Sequence, residues 1–206
     1  MVYVGLTGNI ASGKSEVSRL LAEHGATVVD ADVLAREAVE PGTPGFERVV
    51  ARWGREVLAP DGTLDRGRLR HIAFGDGDEL EALNSILHPM IGKLRRARVT
   101  EARKQGASVV VYVAPLLFER HIAREFDSII LVDAPRETRL RRLVEQRGIG
   151  MDDAMNMIAA QMPAELKRAR ADFVIENDGS LEELEQQVDD VWQRLTVSEE
   201  RSSLAV

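Results

Sequence analysis

A segment near the start of the chain has the residue types and spacing of a loop that binds the phosphates of a nucleoside triphosphate. The stretch from Gly8 to Ser15 fits the pattern G-x-x-x-x-G-K-[ST], between a predicted strand and a predicted helix. Glycine lets backbone N–H groups turn toward phosphate oxygens, and the N-terminus of the following helix adds partial positive charge. We expect Lys14 to reach the β- and γ-phosphates, and the Ser15 hydroxyl to bind a Mg²⁺ that bridges them. The residues predicted to contact the nucleotide are Gly8, Ala11, Ser12, Gly13, Lys14, Ser15 and Glu16.

Two carboxylates follow the second predicted strand. Asp30 and Asp32 lie at its carboxyl end, where open α/β folds place their ligands. A carboxylate at Asp32 can orient or deprotonate an acceptor hydroxyl, or hold Mg²⁺ through water. The alternative is a helix N-cap, a role that fits Asp30 better than Asp32.

A phosphate loop alone is compatible with a GTPase, an ATPase or a small-molecule kinase. The chain contains neither an N-K-x-D nor a D-x-x-G sequence, so no guanine reader or switch motif is present. The sequence therefore favours a kinase over a GTPase switch.

Composition narrows the class further. The chain has 206 residues and a net charge of −7, which disfavours a general nucleic-acid coat but leaves local basic clusters that can hold phosphate. With no cysteine, disulfides, thiolate metal sites and a cysteine nucleophile are excluded. We expect a cytoplasmic protein without a signal peptide, a membrane span or a nucleic-acid partner, and the oligomeric state stays open.

The elements around these residues predict an α/β fold. Apolar segments at 2–7, 27–29, 108–114 and 128–132 indicate buried strands, and a fifth candidate covers 173–175. Helical patterns lie between them, notably at 14–24, where Gly25 has the position of a C-cap. The stretch 181–195 predicts a final helix that packs on the sheet, and 196–206 has little to bury, so we expect it to be frayed.

The region 40–105 interrupts this alternation of strands and helices. Turn sequences at 41–45 and 60–62 separate helical patterns, which predicts an inserted helical subdomain. We expect Pro89 to begin its longest helix, because proline suits the first helical position.

At this point the chain resembles the dephospho-CoA kinase family over nearly its whole length. The segments that carry the resemblance are LTGNIASGKS (6–15), DAD (30–32), VEPG (39–42), LHP (87–89), PLLFE (115–119) and ADFVIEN (171–177). The resemblance implies a P-loop NTPase fold similar to nucleoside monophosphate kinases, with a parallel five-stranded sheet. It also implies a nucleotide-binding core at 1–39 and 106–195, a CoA-binding subdomain at 40–105 and a lid within about 136–170. The implied reaction is phosphorylation of the ribose 3′-hydroxyl of dephospho-CoA by ATP and Mg²⁺, giving CoA and ADP.

The resemblance also implies roles for single residues. Asp32 matches the family's proposed general base, and Lys14 and Ser15 match its phosphate loop. Arg142 and Arg147 lie in the segment similar to the lid, where one arginine can stack on adenine and another can clamp the transferring phosphate. We expect Arg147 to be the clamp. The alternative is an exposed helix with alternating charges, in which Glu137 and Arg141 pair four residues apart.

Four further positions match the family's binding sites. Asn177 matches a residue near adenine, although Asn-Asp-Gly is also a plain turn sequence. His88 lies on the acceptor side in the family, and the alternative to a general-base role is that it caps or satisfies a helix start before Pro89. Leu116 and Glu119 belong to a segment predicted to line the acceptor crevice, and a salt bridge from Glu119 to a neighbouring arginine, Arg120 or Arg124, is the alternative.

Three positions depart from the family's usual pattern. Asn9 and Ala11 stand where glycine is common, and Glu16 stands where threonine is common. A positive φ at Ala11 would cost roughly 1 kcal/mol, because alanine carries a Cβ. A carboxylate at Glu16 suits the helix dipole but lies close to a polyphosphate. We expect these departures to weaken nucleotide binding but not to abolish it.

Two alternatives remain at this stage. A kinase for another acceptor, such as a nucleoside monophosphate, would differ mainly in the region 40–105. A nucleotide-dependent switch would hydrolyse its triphosphate without an acceptor, whereas a kinase would require one.

Overall fold

Segments rich in valine and isoleucine form the strands of one sheet. The computed structural model describes residues 1–203, apart from the side chains of residues 74–75 and 198–203. The strands are β1 (Val2–Thr7), β2 (Thr27–Asp30), β3 (Val109–Val113), β4 (Ser128–Asp133) and β5 (Phe173–Glu176). Their order is β2-β3-β1-β4-β5, and β1 pairs in parallel with β3 and β4, while β4 pairs in parallel with β5. The predicted α/β class with a parallel five-stranded sheet is confirmed.

Helices fill the connections between and after the strands. They are α1 (Lys14–Glu23), α2 (Ala31–Glu37), α3 (Pro44–Trp53), α4 (Arg66–Gly75), α5 (Gly77–Lys104), α6 (Arg136–Arg141), α7 (Met151–Ala159), α8 (Ala164–Arg168) and α9 (Leu181–Ser203). Short 3₁₀ turns cover Gly54–Val57 and Ala123–Glu125, and α6 widens into a π-helical turn at Arg142–Gln146. Within residues 1–203, no helix combines the length and the apolar character needed to cross a bilayer.

The chain divides into two compact units. The first contains residues 1–28 and the chain from Ala102 onward, and the second is Val29–Glu101. In the first unit, β1, β3 and β4 bury their valines and isoleucines against α1 and α9. The second unit has its own core around Val49, Trp53 and Val57. It begins earlier than the predicted subdomain at 40–105, because Val39 joins that core and Glu37 pairs with Arg98 of α5 at 3.1 Å.

Helix α1 ends as its sequence predicts. Gly25 has φ 101°, a left-handed conformation that glycine adopts without a Cβ penalty. The Gly25 N–H donates to the carbonyl of Ala22 at 2.9 Å, and the Ala26 N–H donates to Leu21 at 3.0 Å. These two bonds form a Schellman cap. Because α1 begins at the end of the phosphate loop, its register fixes where Lys14 and Ser15 lie.

The prediction that Pro89 begins a helix is wrong. Helix α5 starts at Gly77 and passes through Pro89 without a break. Proline removes one backbone hydrogen bond and crowds the preceding turn, at a cost of about 3 kcal/mol. Before the proline, α5 packs Leu83, Ile86 and Leu87 on the core of the second unit. The three side chains are partly buried there, and their combined packing offsets the local cost of the proline.

The end of the chain also differs from expectation. We expected 196–206 to be frayed, but α9 continues past Leu195 to Ser203. The residue types from Val197 to Arg201 include no helix breaker, so the helix extends from its buried part without a local obstacle. Residues 204–206 lie outside the described residues.

Candidate phosphate-binding site

The phosphate loop presents backbone N–H groups at the N-terminus of α1. Gly13 is the N-cap residue and has φ 99°, and no side chain caps the helix. Among the hydrogen bonds of the described residues, none uses the N–H groups of Gly13 or Ser15. Such N–H groups, together with the helix dipole, form an anion-binding site. The geometry therefore matches the predicted phosphate cradle.

Close contacts explain two of the glycines. A Cβ at Gly8 would lie 2.3 Å from the carbonyl oxygen of Val132, and a Cβ at Gly13 would lie 1.8 Å from Nδ2 of Asn177. Both distances are far below van der Waals contact. The loop therefore packs directly on the ends of β4 and β5, and only glycine fits at these positions.

Lys14 lies over the loop from which it begins α1. Its ammonium donates to the carbonyl of Gly8 at 2.8 Å and to that of Asn9 at 3.1 Å. Both acceptors are neutral, so the ammonium can exchange them for phosphate oxygens, which bind it more strongly. Ser15 follows in the first turn of α1 with its side chain exposed.

Ala11 has the backbone conformation that its residue type disfavours. Its φ is 58°, so the strain anticipated from the sequence is present, at about 1 kcal/mol. The methyl group is nevertheless buried, in an apolar cluster with Leu143, Ala154 and Ile158. Burial of the methyl group offsets part of the strain, so the alanine is compatible with the loop.

The carboxylate of Glu16 is paired with a neighbouring arginine. Its carboxylate accepts hydrogen bonds from the guanidinium of Arg19, and this contact lowers the pKa of Glu16. The pair is largely exposed and contributes little to stability. Because Arg19 neutralises the carboxylate locally, the repulsion expected between Glu16 and a polyphosphate is reduced.

Arg142 and Asn177 meet at the loop. Nη1 of Arg142 donates to the carbonyls of Ala11 and Ser12 at 3.2 and 3.4 Å, and Nη2 donates to the carbonyl of Asn177 at 2.9 Å. The Asn177 amide in turn donates to the carbonyl of Ser12 at 2.7 Å. Partial burial lowers the pKa of Arg142, and the positive charge of Arg141 acts in the same direction. The structure therefore brings both predicted residues to the phosphate loop, and Asn177 does more than form a turn.

Arg147 lies apart from this arrangement. It is the exposed residue that ends the π-helical turn, next to Gly148. The backbone N–H of Arg147 donates to the carbonyl of Val144, but its guanidinium makes no hydrogen bond or ion pair with the described residues. No ion pair joins Glu137 to Arg141 within that part of the chain either. The arginine that contacts the loop is thus Arg142.

Two loop contacts come from residues that the sequence analysis missed. Oε1 of Gln161 accepts the backbone N–H of Ile10 at 2.7 Å, and the carbonyl of Met162 accepts from the Asn9 side chain at 3.2 Å. Neither residue belongs to a recognisable motif, and about 150 positions separate them from the loop. No local signal could have identified them.

A buried lysine holds the segment after β3. Lys167 is fully buried, and its ammonium lies 2.8 Å from Oε1 of Glu119 and 3.2 Å from the carbonyl of Pro115. The partner of Glu119 is therefore Lys167, so the alternative of a pair with Arg120 or Arg124 is wrong. The Pro115 carbonyl also accepts from the hydroxyl of Thr7, directly before the phosphate loop. Leu116 lies exposed in the same segment.

The remaining two predicted residues belong to the second unit. Asp30 caps α2 by accepting from the N–H groups of Asp32 and Val33 at 2.7 and 3.3 Å, as its sequence position favours. The Asp32 side chain is exposed in the first turn of α2, and its carboxylate makes no hydrogen bond or ion pair within the described part of the chain. His88 is exposed in the middle of α5, so it does not cap a helix.

Comparison with known proteins assigns the chain to a family. The sequence model of the dephospho-CoA kinase family matches residues 2–183. A dephospho-CoA kinase of Streptomyces avermitilis is 52% identical over 192 residues, which are 93% of this chain and 93% of that protein. The chain belongs to the dephospho-CoA kinase family. Its members use ATP to phosphorylate dephospho-CoA and form CoA, and the predicted family and kinase activity are confirmed.

Solved structures share the fold of the chain. The crystal structure of TT1252 from Thermus thermophilus is 38% identical with a TM-score of 0.80, covering 95% of this chain and 98% of that one. A dephospho-CoA kinase from Campylobacter jejuni has a TM-score of 0.72 at 23% identity, with 95% and 98% of the two chains covered. The chain thus shares its fold with both structures.

Arg142 and Arg147 should differ in their kinetic effects. Arg142→Ala is expected to raise the KM for ATP about ten- to hundredfold, because hydrogen bonds from a charged donor contribute roughly 1.5–3 kcal/mol. Arg147→Ala should lower kcat with little change in that KM, if its guanidinium acts only in the transition state. Steady-state kinetics with Arg141→Ala as the exposed neighbouring control checks both expectations. Equal KM values in Arg142→Ala and Arg141→Ala would contradict the first.

Proposed function

We propose that the chain transfers the γ-phosphoryl group of ATP to the ribose 3′-hydroxyl of dephospho-CoA. In this step the bond from the γ-phosphorus to the β–γ bridging oxygen breaks, and a bond to the 3′-oxygen forms. The hydroxyl proton passes to a carboxylate, and ADP leaves. The observation that carries the proposal is a phosphate loop of the correct geometry in a chain of this family.

The roles of the loop residues follow from their positions. The N–H groups at the start of α1 and the Lys14 ammonium hold the β- and γ-phosphates, as in other phosphate loops. Arg142 fixes the loop through the carbonyls of Ala11 and Ser12. A fixed loop presents its donors without reorganisation, and such preorganisation is the main source of electrostatic catalysis.

We assign Asp32 as the group that orients the acceptor hydroxyl and takes its proton. Its carboxylate is exposed at the carboxyl end of β2, and Asp30 performs the capping in its place. Asp32 is therefore available for a substrate. Leu116, Glu119 and His88 remain proposed contacts of the acceptor, and Arg147 is proposed to close over the transferring phosphate.

The exposed Ser15 hydroxyl fits a Mg²⁺ ion. Magnesium keeps several waters and takes few protein ligands when phosphates supply the others. The residues described contain no cluster of three or more acidic or histidine side chains for a metal, so Ser15 is the proposed protein ligand. When bound, Mg²⁺ would neutralise charge on the β- and γ-phosphates.

A coupled ADP-release assay with Mg-ATP tests the proposal. Turnover is expected with dephospho-CoA, and not with a panel of nucleoside monophosphates or without an acceptor. The position of the new phosphate is checked by ³¹P NMR of the product, which should be identical to CoA. Turnover with a nucleoside monophosphate would mean that the second unit binds that acceptor and not dephospho-CoA. Hydrolysis of ATP without an acceptor would favour a nucleotide-dependent switch.

A further inference from the structure

The phosphate loop forms hydrogen bonds with both ends of one segment. This segment, residues 142–162, includes the π-helical turn and α7, and we name it the clasp. Arg142 bonds to the loop from its beginning, and Gln161 and Met162 bond to it from its end. Between these contacts, the buried methyl of Ala11 packs on Leu143, Ala154 and Ile158. The loop conformation is therefore set by the clasp as well as by its own glycines.

The peptide group between Asn9 and Ile10 forms hydrogen bonds on both of its sides. The N–H of Ile10 points to Oε1 of Gln161, at 2.7 Å. The carbonyl of the same peptide group belongs to Asn9, and it accepts from the Lys14 ammonium at 3.1 Å and from the Ser12 N–H at 3.2 Å. Because the peptide is trans and planar, its N–H and C=O point in opposite directions. Fixing the N–H therefore fixes the direction of the carbonyl.

We propose that Gln161 is a positioning residue for nucleotide binding. By accepting the Ile10 N–H, Gln161 orients the Asn9 carbonyl. That carbonyl accepts hydrogen bonds from the Lys14 ammonium and from the Ser12 N–H. Without Gln161 as acceptor the peptide group is free to rotate, and a rotated peptide would displace both Lys14 and the cradle N–H groups. Gln161 acts through the loop backbone, because its oxygen is bonded to an N–H that points away from the carbonyl that Lys14 and Ser12 contact. The proposal depends on the proposed function only in that the loop binds a nucleotide.

The neighbouring Asn9 supports the same contact. Its side chain is buried, and its amide donates to the carbonyl of Met162 at 3.2 Å. Its Oδ1 is buried without a hydrogen-bond partner among the described residues. Burying an unpaired oxygen costs free energy. The hydrogen bond to Met162 and the surrounding packing therefore hold the Asn9 side chain in place. The Asn9–Met162 and Ile10–Gln161 contacts thus fix the same part of the loop.

Binding of ADP and amide exchange at Ile10 test the proposal on the full chain. Gln161→Leu keeps the approximate size and removes the acceptor, and Gln146→Leu is the control at an exposed position of the same clasp. In Gln161→Leu, we expect the dissociation constant for ADP to rise about tenfold, as for the loss of one buried hydrogen bond. The Ile10 amide should also exchange about tenfold faster by NMR on ¹⁵N-labelled protein. The control should remain within about twofold of the parent in both measurements.

A second variant separates the hydrogen bond from charge. Gln161→Glu keeps an acceptor for Ile10, so the slow exchange of that amide should persist. Its added negative charge weakens ADP binding, and this loss should shrink as salt is added, because salt screens exposed charges. The loss in Gln161→Leu should be independent of salt. A residue that only supports the fold would lower the melting temperature without this pattern.

Kinetics gives the other readout that a purely structural role would not move. In Gln161→Leu, the KM for ATP should rise about tenfold while the KM for dephospho-CoA changes by less than about twofold. The proposal is overturned if Gln161→Leu matches Gln146→Leu in ADP affinity, or if Ile10 of the parent exchanges like an unprotected amide. That last measurement needs no variant, so it can overturn the proposal even if Gln161→Leu fails to fold.

The outcomes also separate this proposal from the proposed function. If the parent phosphorylates dephospho-CoA but Gln161→Leu binds ADP normally, the function stands and the role of Gln161 falls. If Gln161→Leu shows the expected loss of ADP affinity while the parent fails to use dephospho-CoA, the acceptor assignment falls and Gln161 keeps its role.

Discussion

Asp32→Asn is expected to lower the kcat for dephospho-CoA phosphorylation by about 10²–10⁴-fold, the usual contribution of general-base catalysis. The amide keeps the size of the side chain and can still hydrogen-bond the acceptor hydroxyl, but it cannot accept the proton. Dephospho-CoA should therefore bind with nearly unchanged affinity. Steady-state kinetics and isothermal titration with dephospho-CoA measure the two effects separately.

Asp32→Asn should leave the surrounding contacts unchanged. Its carboxylate has no partner within the described residues, so no buried contact is lost. The change removes one negative charge from the first turn of α2, which is worth about 0.3–1 kcal/mol of helix stability. The folded protein should therefore survive, and thermal unfolding followed by circular dichroism should show a small shift.

Asp30→Asn is the matched control two residues away. Asp30 caps α2, and asparagine caps helices about as well as aspartate, so both the fold and the turnover should be retained. If Asp32→Asn lost less than about tenfold in kcat, general-base catalysis could not depend on that residue. If both variants lost activity equally, the charge of the region would matter more than the proton acceptor.

The phosphate loop could be predicted because its information is local. The spacing between Gly8 and Ser15, together with the strand before and the helix after, fixes the turn and the start of α1. Even the strain at Ala11 follows from its residue type at a position where the turn requires a positive φ. Apolar segments without strict alternation likewise predicted β1 to β5 and the parallel sheet.

The partners of the loop could not be predicted in the same way. Gln161 contacts Ile10 across about 150 positions, and Lys167 contacts Glu119 across 48 positions, so no periodicity or spacing links them. The sequence shows that several arginines follow β4, but it does not show how the helix turns. The π-helical turn at Arg142–Gln146 directs Arg142 to the loop and leaves Arg147 exposed.

Pro89 shows the opposite error, in which a correct local preference is overridden. Proline does suit a first helical turn, but Leu83, Ile86 and Leu87 precede it with helical spacing and pack on the core. Their burial extends α5 backward through the proline. Tertiary packing decided the boundary, and it was not visible in the tripeptide Leu87–Pro89.

Lys14→Met is expected to lower kcat/KM for ATP by about 10²–10³-fold, comparable to loss of one preorganised donor to a developing charge. Methionine has nearly the same length and no charge, so the methylene packing over the loop is kept. The carbonyls of Gly8 and Asn9 lose their hydrogen bonds to the ammonium. Lys14→Arg should rescue little, because a planar guanidinium does not replace a compact ammonium in a narrow loop.

Lys93→Met is the matched control, because Lys93 is an exposed lysine of α5 in the second unit. It tests whether loss of any positive charge weakens binding of a polyanion. Turnover should stay within about twofold of the parent, since exposed single charges contribute little. A comparable loss in Lys93→Met would show that the overall field of the protein, and not the loop, governs ATP binding.

A nucleotide series distinguishes the contacts of Lys14 from a general defect of the loop. If the ammonium reaches only the β- and γ-phosphates, Lys14→Met should weaken ATP most, ADP less, and AMP hardly at all. Collapse of the loop would weaken ATP and ADP alike, because the cradle N–H groups at the start of α1 would move together. Gln161→Leu predicts that second pattern in milder form, since it acts on the loop backbone. The two variants should therefore differ in the ratio of ATP to ADP affinity, and equal ratios would mean that Lys14 acts by shaping the loop and not by contacting phosphate.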